Sequence, residues 1–266
     1  MKRFFSALIL IAVVICLFFK GQVIAGANTF ASAPSMQRGK VALRFALRQI
    51  REANKKLRYT IKARYPQALG AGRDPRLTKL NLELRKFIEK EVSGFKKDFG
   101  TPEVRTFGGE NTFDSRYQVE FATDNLVSIS FVINTYFEGA AHGNYNTIVF
   151  NYDLNSGKTL SLASLFKPNS NYLEIISGYA IKSLKKEMAP DAESDWIQSG
   201  AGPKEENYQS WNITGRGLEV NFDPYQVASY AEGPHMAVVP YAILKDVIDP
   251  NGPLSKIETN SRSLRK

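Results

Sequence analysis

The sequence predicts an α+β fold of strands joined by hairpins, with helices between groups of strands. Three observations carry the prediction. Several segments alternate apolar and polar residues with a period of two, the mark of half-buried strands. Two others repeat apolar residues at steps of three and four, the mark of amphipathic helices. Turns bearing Gly or Asn separate successive strands, which favours antiparallel hairpins.

The elements follow in order. VALRFALRQI places Val41, Leu43, Phe45 and Leu47 on one face and Arg44 and Arg48 on the other. It reads as a strand, although residues 41–57 also suit a helix because Ala, Leu and Arg are good helix formers. LRYTIKARYPQ alternates Leu57, Tyr59, Ile61 and Ala63 against basic and polar residues, and Pro66 is expected to end it. A hairpin across Asn54 to Lys56 joins the two. DPRLTKLNLELRKFIEKEVSGFKKDFG is the strongest helix, with one stripe of Leu77, Leu80, Leu84, Phe87, Ile88, Val92 and Phe95. Asp74 serves as its N-cap, Pro75 opens it, and Gly100 and Pro102 stop it. Three strands follow, around Tyr117, Val119 and Phe121, then Val127, Ile129, Phe131 and Ile133, then NYNTIVFNYDL.

LNSGKT is a turn, with Asn155 and Gly157 suited to positive φ. Pro168 to Met188 reads as a second helix buried through Tyr172, Ile175, Ile176, Tyr179, Ala180 and Leu184, weakened by Gly178 and ended by Pro190. Residues 189–208 are polar and acidic and read as a surface loop. WNITGRGLEVNF is a hairpin turning at Gly215 and Gly217. DPYQVASYAEGPHM is an ordered loop, HMAVVP a short strand, and Pro240 to Ile248 a closing helix. From Asp249 the tail is polar and expected to fray. Asn212-Ile213-Thr214 matches a glycosylation acceptor, a motif too common to carry weight.

The N-terminus predicts export. Lys2 and Arg3 precede Phe4 to Phe19, sixteen residues with Ser6 the only polar one. That is short for a membrane span of about 20 residues and suits a secretory signal. Ala25-Gly26-Ala27 is a small-x-small site, so cleavage is expected after Ala27. Ala31-Ser32-Ala33 is disfavoured because Pro34 would follow the cut. An uncleaved signal acting as an anchor is the alternative. Cys16 lacks the small residues a lipoprotein signal needs before it.

The expected organisation is a signal at 1–27, a flexible leader at 28–40, subdomains at 41–155 and 156–249, and a polar tail at 250–266. Removing 27 of the 266 residues leaves 239, enough for one large domain or two small ones, and takes away the single cysteine. No disulfide is then available, so a packed core must supply stability. The net charge of +9 falls to +6 with the loss of Lys2, Arg3 and Lys20. That charge is expected chiefly to keep the chain soluble, with nonspecific attraction to anionic envelope polymers or membrane surfaces as the alternative. Nucleic acid is excluded as a partner by export, and no membrane span is expected once the signal is cut.

Two stretches carry a family resemblance. NTYFEGAAHGNYNTIVFNYDLNSGKTLSLASLF runs from a strand ending in an aromatic, through an Ala-His-Gly turn, to a returning strand, a Ser-Gly-Lys turn and Leu-x-x-Leu-Phe. FDPYQVASYAEGPHMAVVPYAILKDVI supplies Phe-x-Pro-Tyr, Ala-x-Tyr-Ala-x-Gly and a strand running into Pro-Tyr. With the early KLRYTIKARYPQ, their order and spacing over residues 41–249 resemble the paired extracytoplasmic domains of lysozyme-sensing anti-sigma factors of the RsiV type. Those domains also precede the catalytic domain of some peptidoglycan deacetylases. The resemblance implies an antiparallel β-sheet packed against α-helices, in two linked subdomains, and a lysozyme-binding activity known in the family. The usual glycine pair before Ala-His-Gly is here Gly139-Ala140. Only Met1 to Arg3 precede the apolar run, and no deacetylase catalytic domain is read after Ile248. The expectation is therefore a sensing or binding module alone.

The candidate binding surface gathers Tyr136, Glu138, His142, Asn144, Tyr145, Tyr225, Tyr230, Glu232 and His235. Tyrosines offer large rigid contact area with a polar tip, suited to a protein or to the sugar rings of peptidoglycan. Glu138, Asp223 and Glu232 would complement a basic partner such as lysozyme if they formed a local patch. A catalytic reading needs His142 to meet Asp153 and a second polar group in one pocket. A shared metal between His142 and His235 has neither HxH nor HExxH spacing. No catalytic residue, metal or cofactor is assigned. His142 is expected to hold backbone groups of its own turn, with Gly139 and Gly143 supplying unusual backbone angles.

Overall fold

The computed structural model describes residues 43–98, 109–188, 194–255 and 257. The signal, leader, start of the first strand, stops at Gly100, Pro102 and Pro190, and most of the tail lie outside the described residues. The strands are β1 (Phe45–Asn54), β2 (Tyr59–Ala68), β3 (Asn111–Ala122), β4 (Leu126–Tyr136), β5 (Asn144–Asp153), β6 (Lys158–Thr159), β7 (Trp211–Ile213), β8 (Gly217–Phe222) and β9 (His235–Pro240). The helices are α1 (Pro75–Asp98), α2 (Tyr172–Glu187), α3 (Ser194–Gly200) and α4 (Tyr241–Leu244). Strands β1 to β6 form one sheet in sequence order, and β7 to β9 form a second. The α+β prediction holds.

Neighbouring strands are antiparallel except β2 and β3, which pair in parallel over Tyr59–Ala63 and Asn111–Ser115. A parallel pair needs a long crossover, and α1 lies in it. Alternation reveals a strand but not its direction, so the sequence did not show this pairing. The α1 stripe behaves as predicted: Leu80, Leu84 and Ile88 are fully buried against Ile61, Phe131 and Phe150 in the first core. Burying each such side chain contributes roughly 1.5–3 kcal/mol. Asp74 Oδ1 accepts the Arg76 backbone N–H at 2.9 Å, the expected N-cap bond.

Three sequence expectations change. Strand β2 continues through Pro66, which pairs with Leu47, to Ala68. Arg64 turns its backbone toward Ser115 of β3, and Pro66 faces the same side two residues on. There β3 no longer pairs, so the missing N–H costs no ladder bond. On β1, Leu47 is 56% exposed rather than buried, because β1 is the edge strand and only one neighbour shields it. On β3, the register shifts between Val119 and Phe121. Two residues apart, they would share a face in a regular strand. The bulge sends Val119 to the first core and Phe121 to the second.

The second core joins α2, α4 and the small sheet. The α2 face is the predicted one. Residues 189–208 are not wholly loop, however: α3 and a single turn at Glu205–Tyr208 bury Ile197, Ala201 and Tyr208. Tyr208 Oη donates to Ala201 O at 2.5 Å, and burial pushes the phenol up to about 12. Polar composition hid these apolar anchors. The closing helix is shorter than expected, but Val247, Ile248 and Leu254 beyond it are buried, so the chain past Asp249 is not simply a frayed tail. Asn212 is fully buried and is no glycosylation acceptor in the folded chain.

Glu219 on β8 is 8% exposed, and burial, with Glu120 second, pushes its carboxyl up against the pull of Arg216. A raised folded pKa means that stability is lost as pH rises from the ordinary carboxylate value to the raised one. Glu219→Gln is therefore expected to match the native protein under acid conditions and exceed it at neutral pH. Urea denaturation at both pH values checks this; equal stabilities at neutral pH would refute the burial cost.

Candidate functional site

The first motif forms the β4–β5 turn. Thr135 pairs with Asn144, closing a loop from Phe137 to Gly143. Gly139 sits at φ 86°, where a side chain is strained. A Cβ on Gly143 would lie 3.1 Å from Thr135 O, so glycine lets the strands approach. The Gly143 carbonyl oxygen accepts two hydrogen bonds, from His142 Nδ1–H at 2.9 Å and from Tyr230 Oη at 2.8 Å. Since that oxygen only accepts, Nδ1 carries the proton. His142 holds its own turn, as expected.

The second bond brings the two motifs together. His142 stacks on Tyr230 with centroids 4.1 Å apart, and Tyr230 packs on Tyr225 at 5.5 Å. Tyr225 is 56% exposed and held at φ 71°. The left-handed region costs a non-glycine residue roughly 1–2 kcal/mol. The surroundings enforce it: Trp196 Nε1 on α3 donates to Tyr225 O at 2.9 Å, and Gln226 Nε2 donates to Gly200 O and Asn207 O. Trp196 and Gln226 escaped the sequence reading. A lone Trp in a polar stretch was the available signal for the first.

The remaining residues divide. Odd-numbered β4 residues face the α1 core, so Tyr136 lies on the opposite face, and pairing with Asn134 puts Tyr145 there too. Asn144 is exposed on the α1 side. The Glu138 side chain is only 6% exposed and turns inward: it meets Arg58 at 3.1 Å and accepts the Gly109 N–H at 3.0 Å. This removes it from the surface beside Tyr225. Glu232 is exposed but spends its carboxylate on Ser229 in a capping box. Asp223 Oδ1 accepts the Thr147 N–H at 2.8 Å, and burial raises its carboxyl. His235 points elsewhere, with Nδ1 3.7 Å from Glu187 on α2. The three acids thus turn to internal partners rather than forming one patch.

Asp153 lies at the far end of β5 from His142, roughly 30 Å along the strand, where it accepts the Asn155 N–H. The convergence that the catalytic reading required of His142 and Asp153 is not formed. No group of three or more His, Cys, Asp or Glu suited to a metal occurs among the described residues. No described helix is long and apolar enough to cross a membrane.

Comparison with known proteins agrees with this architecture. Over 171 residues, 64% of the chain, the sequence is 31% identical to the peptidoglycan-N-acetylmuramic acid deacetylase PdaC of Bacillus subtilis strain 168. The match covers 36% of that protein, so the chain spans about a third of its length. A crystal structure of a DUF3298-family protein from Bacteroides fragilis superposes with a TM-score of 0.54 at 16% identity, covering 82% of this chain and 98% of that one. Another from Pseudomonas aeruginosa PAO1 gives 0.50 at 15%, covering 78% and 96%. These two share the fold. Residues 163–242 match the family described as protein of unknown function (DUF3298). The chain therefore carries a DUF3298 domain, and the family resemblance read from its two motifs is borne out.

Proposed function

We propose that this is an exported protein of the bacterial envelope, periplasmic or secreted, whose folded part is a binding module docking through the Tyr225–Tyr230–His142 stack. One observation carries the reading: an exposed tyrosine is kept in a strained backbone conformation by two side chains whose bonds serve that purpose. Strain of this kind persists where surrounding structure over-determines it, commonly at ligand sites. The ligand the platform fits best is the glycan of peptidoglycan. Flat aromatic faces suit sugar rings, and the curated relative acts on peptidoglycan by name.

Cosedimentation with purified peptidoglycan tests this. The native protein is expected to pellet at low and moderate salt, and Tyr225→Ala to weaken retention roughly fivefold, as loss of one aromatic contact of about 1 kcal/mol implies. Unchanged retention in the variant would remove the platform from the reading.

A protein partner, lysozyme or another wall hydrolase, is the second reading. The resemblance to RsiV-type sensors and the tyrosine-rich surface favour it. The internal partners of Glu138, Asp223 and Glu232 weigh against a charge-driven contact there. A lysozyme pull-down with no retention at low salt would dispose of it.

A further inference from the structure

A groove runs along the outer edge of β5. It consists of adjoining cavities of about 270 and 490 Å³ that share Phe87, Val149 and Gln209. β4 covers the other side of this strand. On the groove side, Asn151 O accepts the Leu160 N–H and Thr147 N–H is taken by Asp223. Between them the alternation of the strand turns the Val149 N–H and C=O outward as well. Strand β6 pairs with Tyr152 and Asp153, so among the described residues no strand pairs with Val149 on this side. A donor and an acceptor at β-ladder spacing thus line a recess.

The charge of the recess is one-sided. Glu91, Glu206 and Asp223 line the smaller cavity and Glu205 the larger, and no Lys, Arg or His lines either among the described residues. This stands in a chain of net charge +9. Burial is the leading cause that raises the carboxyls of both Glu91 and Asp223. Ser210 adds a buried hydroxyl oxygen with no hydrogen-bond partner to the smaller cavity. The carboxylates do not cluster as a metal site does. Phe87, Tyr172 and Trp211 provide aromatic walls.

We propose that this groove receives an extended, lysine-bearing strand of a polypeptide partner, which pairs with Val149 through its backbone and places the lysine ammonium among Glu91, Glu206 and Asp223. Strand addition to an exposed edge obtains affinity from main-chain bonds and specificity from pockets for alternate side chains. The groove adjoins the platform through Gln226, which lines the smaller cavity and braces Tyr225, but His142, Tyr225 and Tyr230 line neither cavity.

The test uses the isotopically labelled protein titrated with a capped Val-Thr-Lys-Thr-Val peptide, read by amide NMR. The Val149 amide is expected to shift with saturation at low salt. Replacing the lysine with norleucine is expected to weaken binding roughly tenfold, and Glu91→Gln or Glu206→Gln about threefold each. Both variants are expected to pellet with peptidoglycan as the native protein does, which separates this site from the platform. An unmoved Val149 amide at millimolar peptide overturns the proposal, and so does equal binding of the norleucine peptide. Shifts confined to the Tyr225 loop overturn it too, because they would place the peptide on the platform.

Discussion

Gly200→Ala is expected to cost about 3 kcal/mol and lower the melting temperature by roughly 6–12 °C. A Cβ at this position would sit 1.8 Å from the Gln226 carbonyl oxygen and 2.7 Å from its carbon. Both obstacles are backbone, so no rotamer change relieves the clash. The last residue of α3 and the Tyr225–Gln226 segment must separate, and the Gln226-to-Gly200 and Trp196-to-Tyr225 hydrogen bonds loosen together. Peptidoglycan retention should then fall with stability, although Gly200 itself is buried. Gly178→Ala is the control. Its added Cβ meets nothing within 4 Å, so helix propensity alone should raise stability by up to about 1 kcal/mol. Thermal unfolding of the pair decides the matter: a loss under about 1 kcal/mol in Gly200→Ala would show that the segment yields without cost.

Ser128→Ala is expected to be at least as damaging, about 3–5 kcal/mol, for the loss of a single oxygen. Ser128 is fully buried on β4, and its hydroxyl is a hub. It donates to Asn151 Oδ1 at 2.6 Å and accepts from Asn212 Nδ2 at 2.9 Å and the Ile213 N–H at 3.0 Å. Asn151 Nδ2 donates in turn to Trp211 O at 2.7 Å. Deleting the oxygen strands three buried polar groups, each costing about 1–3 kcal/mol when unpaired. Ser130, two residues along, donates to the partly exposed Glu120, and Ser130→Ala should cost under about 1 kcal/mol. Denaturant midpoints of the two variants measure the contrast. Similar midpoints would show that the hub is replaced by water or relaxes away.

Ser128 also shows where the sequence stops being legible. Val127, Ile129, Phe131 and Ile133 announced one face of β4, and all four are buried. The other face, with Ser128 and Ser130, gave no sign of a cover, because polar residues carry no mark of what packs on them. The small sheet covers Ser128, through contacts more than eighty residues away in sequence. The same limit hid the bulge at Phe121 and the parallel β2–β3 pair, since both depend on partners rather than on local period. At the site, glycines and tyrosines flagged the two loops correctly as turns. That His142 would stack on Tyr230 required Gly143 O to be shared between loops 87 residues apart. Glu138 looked like part of that surface by proximity in sequence, yet Arg58 draws it to the other side of the hairpin.

The bulge in β3 bears finally on autonomy. It delivers Phe121 to the second core, where β4 also delivers Leu126. On the far side, Val247, Ile248 and Leu254 close the same core. The segment that matches the family, residues 163–242, begins after the first two and ends before the last three. It is a unit of recognition, but it is not a unit of folding: cut at those limits, it would leave part of its own interior behind, two residues on the strands before it and three in the chain after it.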